Sequence, residues 1–241
     1  MTDRIALITG VGGATGAALS RRFAQGGYRV AMLARNAERL AELEARIPGA
    51  RAYPCDVADL DRLGAVVERV DAELGAPHVL AHNAVAATFA TIFEAKVADL
   101  ERNFRVNTTS LFFLAQKLAP AMIARGEGAI MVTGNTSSFR GIPIRPAFAP
   151  TKAAQRILAQ CLAKDLGPRR IHVGYVSVDA AIDAPWLKAT VALPNWQDKS
   201  EDDFAQPDAI ADEVYHIAHQ RPSTWSFDHV IRPFTEHWTL N

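Results

Sequence analysis

Residues 4–26 read RIALITGVGGATGAALSRRFAQG. The apolar run Ile5-Ala6-Leu7-Ile8 has the character of a strand buried on both faces of a parallel sheet. A glycine-rich turn follows, Thr9-Gly10-Val11-Gly12-Gly13-Ala14-Thr15-Gly16. Ala17, Leu19, Phe23 and Ala24 then recur at helical spacing until Gly26-Gly27 closes the helix. Strand, glycine turn and helix in that order make a phosphate cradle. The glycines let the backbone approach a pyrophosphate, and the open amides of the first helical turn face it. A tight strand-to-helix connection with no ligand uses the same residue types. The flanking strand and helix, with Arg35 beyond, supply the context that the phosphate reading requires.

Outward from this unit, Arg29–Ala34 is the second strand. An acidic side chain at its end would bind the adenine ribose 2′-hydroxyl of NAD and repel a 2′-phosphate. The chain has Ala34-Arg35-Asn36 there, and the forked guanidinium of Arg35 suits a phosphate, so NADP is expected over NAD. Residues 37–46 form a helix with Leu40 and Leu43 inward, ended by Pro48-Gly49. Residues 50–54 are strand three, followed by Cys55-Asp56-Val57, and residues 59–74 are a helix. Strand four spans residues 77–81, with His82-Asn83-Ala84-Val85 as its exit turn. A long helix over 97–125 places Leu100, Phe104, Leu111, Leu114, Leu118 and Met122 on one side. Residues 129–133 are strand five, and a helix at about 147–166 has Ala153, Ile157, Leu158, Cys161 and Leu162 as its apolar stripe. Strand six is 171–176, a helix spans about 207–219, and a short strand is 228–231. Residues 184–206, with two prolines and two tryptophans, read as a loop or short helices over a cleft.

Strands and helices alternate throughout, so the expected fold is a doubly wound, Rossmann-type α/β domain over residues 1–241. Its ligand would lie at the carboxyl ends of the strands, where strand order reverses. Composition agrees: 49% hydrophobic and 22% charged residues suit one large core. A net charge of zero points to neither a nucleic-acid partner nor an anionic membrane. The first strand follows Met1 closely, so no signal peptide is expected, and the expected compartment is the cytoplasm. Cys55 and Cys161 lie far apart outside any metal or redox motif and read as reduced packing residues.

The chain resembles the short-chain dehydrogenases/reductases over nearly its whole length. The resemblance rests on Thr9-Gly10 with Gly16, Asp56-Val57, Asn83-Ala84, Asn107, Ser138 and Lys152, in the family's order and approximate spacing. It implies about seven strands, NAD(P)-linked oxidation or reduction of alcohols and carbonyls, and homodimers or homotetramers through the helices at 97–125 and 147–166. It implies a catalytic set at Ser138, Lys152, Asn107 and position 148. Cofactor contacts are implied from Gly10, Gly12, Gly13, Thr15, Gly16, Arg35, Asp56, Val57, Asn83, Ala84, Lys152 and Ile182. The departures are specific. Ala14 replaces a glycine of the turn, His82-Asn83-Ala84-Val85 stands for Asn-Asn-Ala-Gly, and Asp179-Ala180 stands where Pro-Gly is usual. The family's Tyr-x-x-x-Lys is Phe148-Ala149-Pro150-Thr151-Lys152.

Hydride transfer to a carbonyl needs a proton for the developing alkoxide, and Phe148 has none to give. Losing a positioned general acid costs about 10²–10⁴ in rate. Ser138, Lys152 and Asp179 are the candidate replacements. Lys152 is one helical turn from Phe148, so both side chains are expected to project from one face into the cleft. Asp179 by itself reads more simply as a turn residue capping an amide. His82 reads as a structural histidine. Glu213, His216 and His219 share a helix face and read as solvated rather than as metal ligands. Two further function classes stay open: a catalytically silent NADP(H)-binding sensor or scaffold, and a lyase or isomerase on the same scaffold.

Overall fold

A computed structural model describes residues 4–184 and 200–236. Seven parallel strands form one sheet in the order β3-β2-β1-β4-β5-β6-β7. They are β1 (Arg4–Thr9), β2 (Tyr28–Ala34), β3 (Ala50–Pro54), β4 (Val79–His82), β5 (Gly128–Asn135), β6 (Ile171–Val178) and β7 (Asp228–Ile231). Each crossover carries a helix: α1 (Thr15–Gln25), α2 (Ala37–Arg46), α3 (Leu60–Glu73), α4 (Val97–Phe104), α5 (Ser110–Arg125), α6 (Ala149–Leu166) and α7 (Pro207–Ala218). The doubly wound expectation holds, and the order reverses between β1 and β4.

The apolar strands are continuous because both faces of the sheet are covered. Ile5 and Leu7 of β1 join a core with Leu63, Val67, Leu111 and Leu114. The alternate residues Ala6 and Ile8 join Leu19, Phe23, Leu40 and Val214 on the other face. Local signals set the helix starts: Asn36 accepts a hydrogen bond from the Arg39 amide, and Asp59 accepts one from the Arg62 amide. Register aligns the carboxyl ends, pairing Thr9 with Leu33 on one side and with His82 on the other.

Two sequence expectations are corrected. The helix at 97–125 is interrupted by a π turn at Arg105–Thr109, and Leu100 and Phe104 before it are 38% and 42% exposed. The buried residue of that first helix is instead Asn103, whose amide donates to Thr88 Oγ1 and to the Ala147 carbonyl. On α6, Ile157 is 52% exposed and Cys161 is also exposed, so Cys161 is not a packing residue. The buried face of α6 carries Ala149, Thr151, Lys152, Gln155, Ala159 and Leu166. Half of these residues are polar, and they are buried there because neighbouring elements offer them hydrogen-bond partners, which hydrophobic periodicity does not register. Most of the loop expected over 184–206, including Trp186 and Trp196, lies outside the described residues. Within its described ends, Ile182 bridges to Ala205.

Candidate active site

The glycine turn after β1 is built by close approach. Gly10 has φ +68° and packs where a Cβ would sit 2.6 Å from the Ala84 Cα. A Cβ on Gly16 would lie 2.4 Å from the Gly10 carbonyl oxygen. Cβ atoms on Gly12 and Gly13 would instead meet open space. Ala14 leads into α1 without a side-chain cap, so the amides of the first turn remain available to a ligand. The turn is fixed from below: Thr9 Oγ1 accepts from the Asn83 and Ala84 amides, and Asn83 Nδ2 donates to the Gly10 carbonyl at 3.0 Å.

A cleft of about 1170 Å³ opens over this turn. Gly10, Gly12, Gly13, Thr15 and Gly16 line it, as do Arg35, Asp56, Val57, Asn83, Ala84 and Ile182. Eleven of the twelve residues expected to contact a cofactor therefore share one cavity. Arg39 and Arg102 line it too, and the sequence reading passed over both. Arg39 lies one turn beyond Arg35, a spacing that could have drawn attention to it. The Arg102 guanidinium binds the Asp56 carboxylate at 3.0 Å. Burial opposes ionisation of Asp56, but the Ala58 amide and Arg102 outweigh it and hold the carboxyl below its ordinary range.

The twelfth residue, Lys152, is elsewhere. It is 2% exposed, as is Phe148, and neither lines the cleft. Lys152 turns toward β5, while the Phe148 ring meets Phe89, which does line the cleft. Lys152 Nζ donates to the Thr133 carbonyl at 3.1 Å and to Gln155 Oε1. Burial with only neutral partners pushes Lys152 down to about 7. The Phe148 ring lies 6.3 Å from that of Phe89, and its carbonyl accepts from the Thr151 and Lys152 amides. Asn107, in the π turn, has its side chain fully engaged: Oδ1 accepts from the Ala86 amide, and Nδ2 donates to the Ala86 carbonyl and to Thr151 Oγ1.

Beneath these residues runs a hydrogen-bond network whose directions are set by its ends. Ser110 Oγ donates to the Val106 carbonyl at 2.6 Å, so it accepts from His82 Nε2 at 2.8 Å. His82 Nδ1 is then an acceptor for Gln155 Nε2, at 3.4 Å, and the same amide nitrogen donates to the Asn107 carbonyl at 2.7 Å. Gln155 Oε1 takes Lys152 Nζ and, at 3.5 Å, the Tyr175 hydroxyl. Burial, helped by the Lys152 charge, pushes His82 down to about 3, so the imidazole stays neutral as the network demands. Burial pushes the Tyr175 phenol up, with the Ser138 hydroxyl working against the rise. Gly134 makes room for this phenol: a Cβ there would sit 2.3 Å from the Tyr175 hydroxyl oxygen. Gln155 and Tyr175 escaped the sequence reading because neither belongs to a motif. A glutamine three residues after Lys152 on the same helix face was the available signal.

Ser138 ends a 3₁₀ turn after β5, with Oγ donating to the Asn135 carbonyl at 2.8 Å. It lines a second, smaller cavity of about 340 Å³ with Ser137, Arg140 and Arg145. Asp179, expected as a turn cap, meets two arginines. It is 4% exposed and lies 3.4 Å from Arg232 and 4.0 Å from Arg140, because the loop after β5 and the chain after β7 converge on the end of β6. Glu213, His216 and His219 are exposed, as expected of a solvated helix face, and His219 also stacks on Tyr215 with ring centroids 4.0 Å apart and shares a hydrogen bond with the Tyr28 hydroxyl. Among the described residues no cluster of three metal-ligating side chains occurs.

Comparison with known proteins gives a consistent result. The short chain dehydrogenase family model matches residues 4–186. D-erythrulose reductase of Gallus gallus is 32% identical over 175 residues, 72% of this chain and 70% of that protein. L-xylulose reductase of Mus musculus is 27% identical over 199 residues, 82% of this chain and 78% of that one. Among solved structures, a metagenomic short-chain oxidoreductase in complex with NADP superposes with a TM-score of 0.81 at 26% identity, covering 95% of this chain and 97% of its own.

Proposed function

The chain belongs to the short-chain dehydrogenase family and is an oxidoreductase of alcohols or carbonyl compounds. From that premise we propose that it uses NADP(H) and draws its proton from a group other than the family's tyrosine. The observation that carries the cofactor choice is the charge at the end of β2. Arg35 and Arg39 are exposed at the rim of the cleft, and the nearby carboxylate, Asp56, is already paired with Arg102. That end of the cleft favours a 2′-phosphate over a bare ribose. A bound nicotinamide dinucleotide supplies the hydride. Gly10, Gly12, Gly13, Thr15 and Gly16 hold its pyrophosphate, while Asp56, Val57, Asn83, Ala84 and Ile182 line its remaining length. Ser138 orients the substrate oxygen. Asp179 is held by arginines, which leaves Ser138, with Lys152 and Tyr175 behind it, as the proton supply.

Titrating NADPH and NADH by fluorescence tests this reading, beside NADPH oxidation over a panel of ketones and aldehydes. The wild type is expected to prefer NADPH, and Arg35→Ala is expected to weaken NADPH by about tenfold while sparing NADH. Equal affinities in the wild type defeat the NADP assignment. The second reading, a silent NADP(H) binder, is favoured by one observation, the burial of Lys152 against Gln155. It predicts NADPH binding with no oxidation by any carbonyl.

We also propose a homodimer or homotetramer through α4, α5 and α6. Val97 is 73% exposed and Phe93 95% exposed at the start of that surface, with Phe104, Phe112 and Ile157 beyond. Light scattering at micromolar concentration is expected to return a dimer or larger, and a monomer refutes it. No helix among the described residues is long and apolar enough to cross a membrane. Two free cysteines fit the proposed compartment, the cytoplasm.

A further inference from the structure

Arg145 sits at the start of the turn that leads into α6. Its backbone is fixed: its amide donates to the Ile142 carbonyl, and its carbonyl accepts from the Phe148 and Ala149 amides. Its side chain runs back toward the site. Nη1 donates to Ser137 Oγ at 2.9 Å, and the guanidinium lies 5.4 Å from the centre of the Phe89 ring. Phe89 in turn packs on Phe148. The charge therefore stands between Ser137, the residue next to Ser138, and Phe89, the ring that packs on Phe148 at the family's tyrosine position. Nε is buried without a hydrogen-bond partner, and no carboxylate among the described residues forms an ion pair with Arg145. Its neighbour in charge is another cation. Burial, then Arg140, push the guanidinium below its ordinary range.

The cavity beside Ser138 repeats this imbalance. Arg140 and Arg145 line it and no acidic residue does; Arg140 has an ion pair with Asp179 outside the lining, which leaves Arg145 as the lining cation with no ion pair among the described residues. A half-buried cation beside a like charge is unfavourable unless something neutralises it. A guanidinium pairs strongly with a carboxylate, and the buried, unpartnered Nε leaves this one with donor capacity that the protein does not use. The cavity, about 340 Å³, is at the small end of ligand sites, which suits a compact molecule.

We propose that the substrate of this enzyme is a small carbonyl or hydroxy acid, its carboxylate seated on Arg145 and its reacting oxygen toward Ser138. This rests on the oxidoreductase reading above for the reacting oxygen, but not for the carboxylate seat.

The test is equilibrium binding to the full chain saturated with NADPH, using molecules that cannot react. Butanoate, butanamide and inorganic phosphate are titrated by calorimetry into wild type, Arg145→Met and Ala153→Asp. Arg145→Met keeps the apolar stem, and Ala153→Asp places a carboxylate in the same cavity from α6. Wild type is expected to bind butanoate at least about tenfold more tightly than butanamide, a difference of the size a charge-assisted pair gives. Both variants are expected to erase that preference while leaving NADPH affinity unchanged. If Arg145→Met fails to fold, Ala153→Asp carries the test. Equal binding of butanoate and butanamide in wild type overturns the proposal, as does an undiminished preference in Ala153→Asp. Tighter binding of phosphate than of butanoate overturns the carboxylate assignment. Because no turnover is read, a protein that oxidises no NADPH would refute the oxidoreductase reading and leave this result standing.

Discussion

Lys152→Met is expected to lower turnover by about 10²–10⁴-fold and to make the melting temperature respond differently to pH. Lys152 is fully enclosed, and its partners are a backbone carbonyl and a neutral amide. Its ionisation is pushed from the ordinary 10.5 down to about 7. Below about pH 7 both folded and unfolded chains carry the proton, and the full cost of burying the charge is present. Between about 7 and 10.5 the unfolded chain binds a proton that the folded chain does not, so wild-type stability rises with pH across that window. Methionine has no such dependence. It leaves the Thr133 carbonyl and Gln155 Oε1 without the ammonium donor, at a cost of about 1–3 kcal/mol that does not vary with pH. The melting temperature of the variant relative to wild type should therefore be higher at pH 6 than at pH 9. The difference is about 2–3 kcal/mol, or on the order of 5 °C for a chain of this size. Parallel melts at the two pH values would show that Lys152 does not titrate in the fold. Unchanged turnover would remove it from the proton path.

Phe148→Tyr is expected to raise carbonyl reduction, up to the 10²–10⁴ that a positioned acid supplies, and to do so most fully once Lys152 is released. The added oxygen enters a site that is 2% exposed and faces Phe89. If it finds a partner the stability change is about 1 kcal/mol or less, and if it does not the cost is about 1–3 kcal/mol. In wild type the ammonium that would lower the phenol's pKa is tied to Gln155. Phe148→Tyr alone should thus gain less than Phe148→Tyr with Gln155→Val, and the two substitutions should be non-additive because they meet at Lys152. Rates of NADPH oxidation over small ketones for both single variants and the double, with melts alongside, measure this. A large loss of stability with no change in any activity would mark Phe148 as packing alone.

The residues that make the cofactor cleft were legible because their constraints are local. Gly10 needs a positive φ, Gly16 must pass the Gly10 carbonyl, and Arg35 follows directly from the end of β2. Each reads from neighbours a few positions away. The chemistry end was only half legible. Ser138 and Lys152 were found from their order and spacing, but the surroundings that set their behaviour come from β4, the π turn, β5 and β6. Tyr175 reaches the network only because Gly134, on the adjacent strand, leaves room for its ring.

By itself, then, the chain's order of strands, glycine turns and amphipathic helices determined the doubly wound sheet, its switch point and the phosphate cradle. Right-handed crossovers and two-sided burial leave few other arrangements for such a pattern. The tertiary structure alone decided which face of α6 is buried. Periodicity chose Ile157 and Cys161, whereas packing chose Thr151, Lys152 and Gln155. A polar side chain can be enclosed when its partners are in place, and the partners here, the Thr133 and Asn107 carbonyls and His82, lie 19, 48 and 73 positions away in sequence. Only the fold brings them within hydrogen-bond distance, and it does so by packing α6 on β5 and β6 and against the π turn.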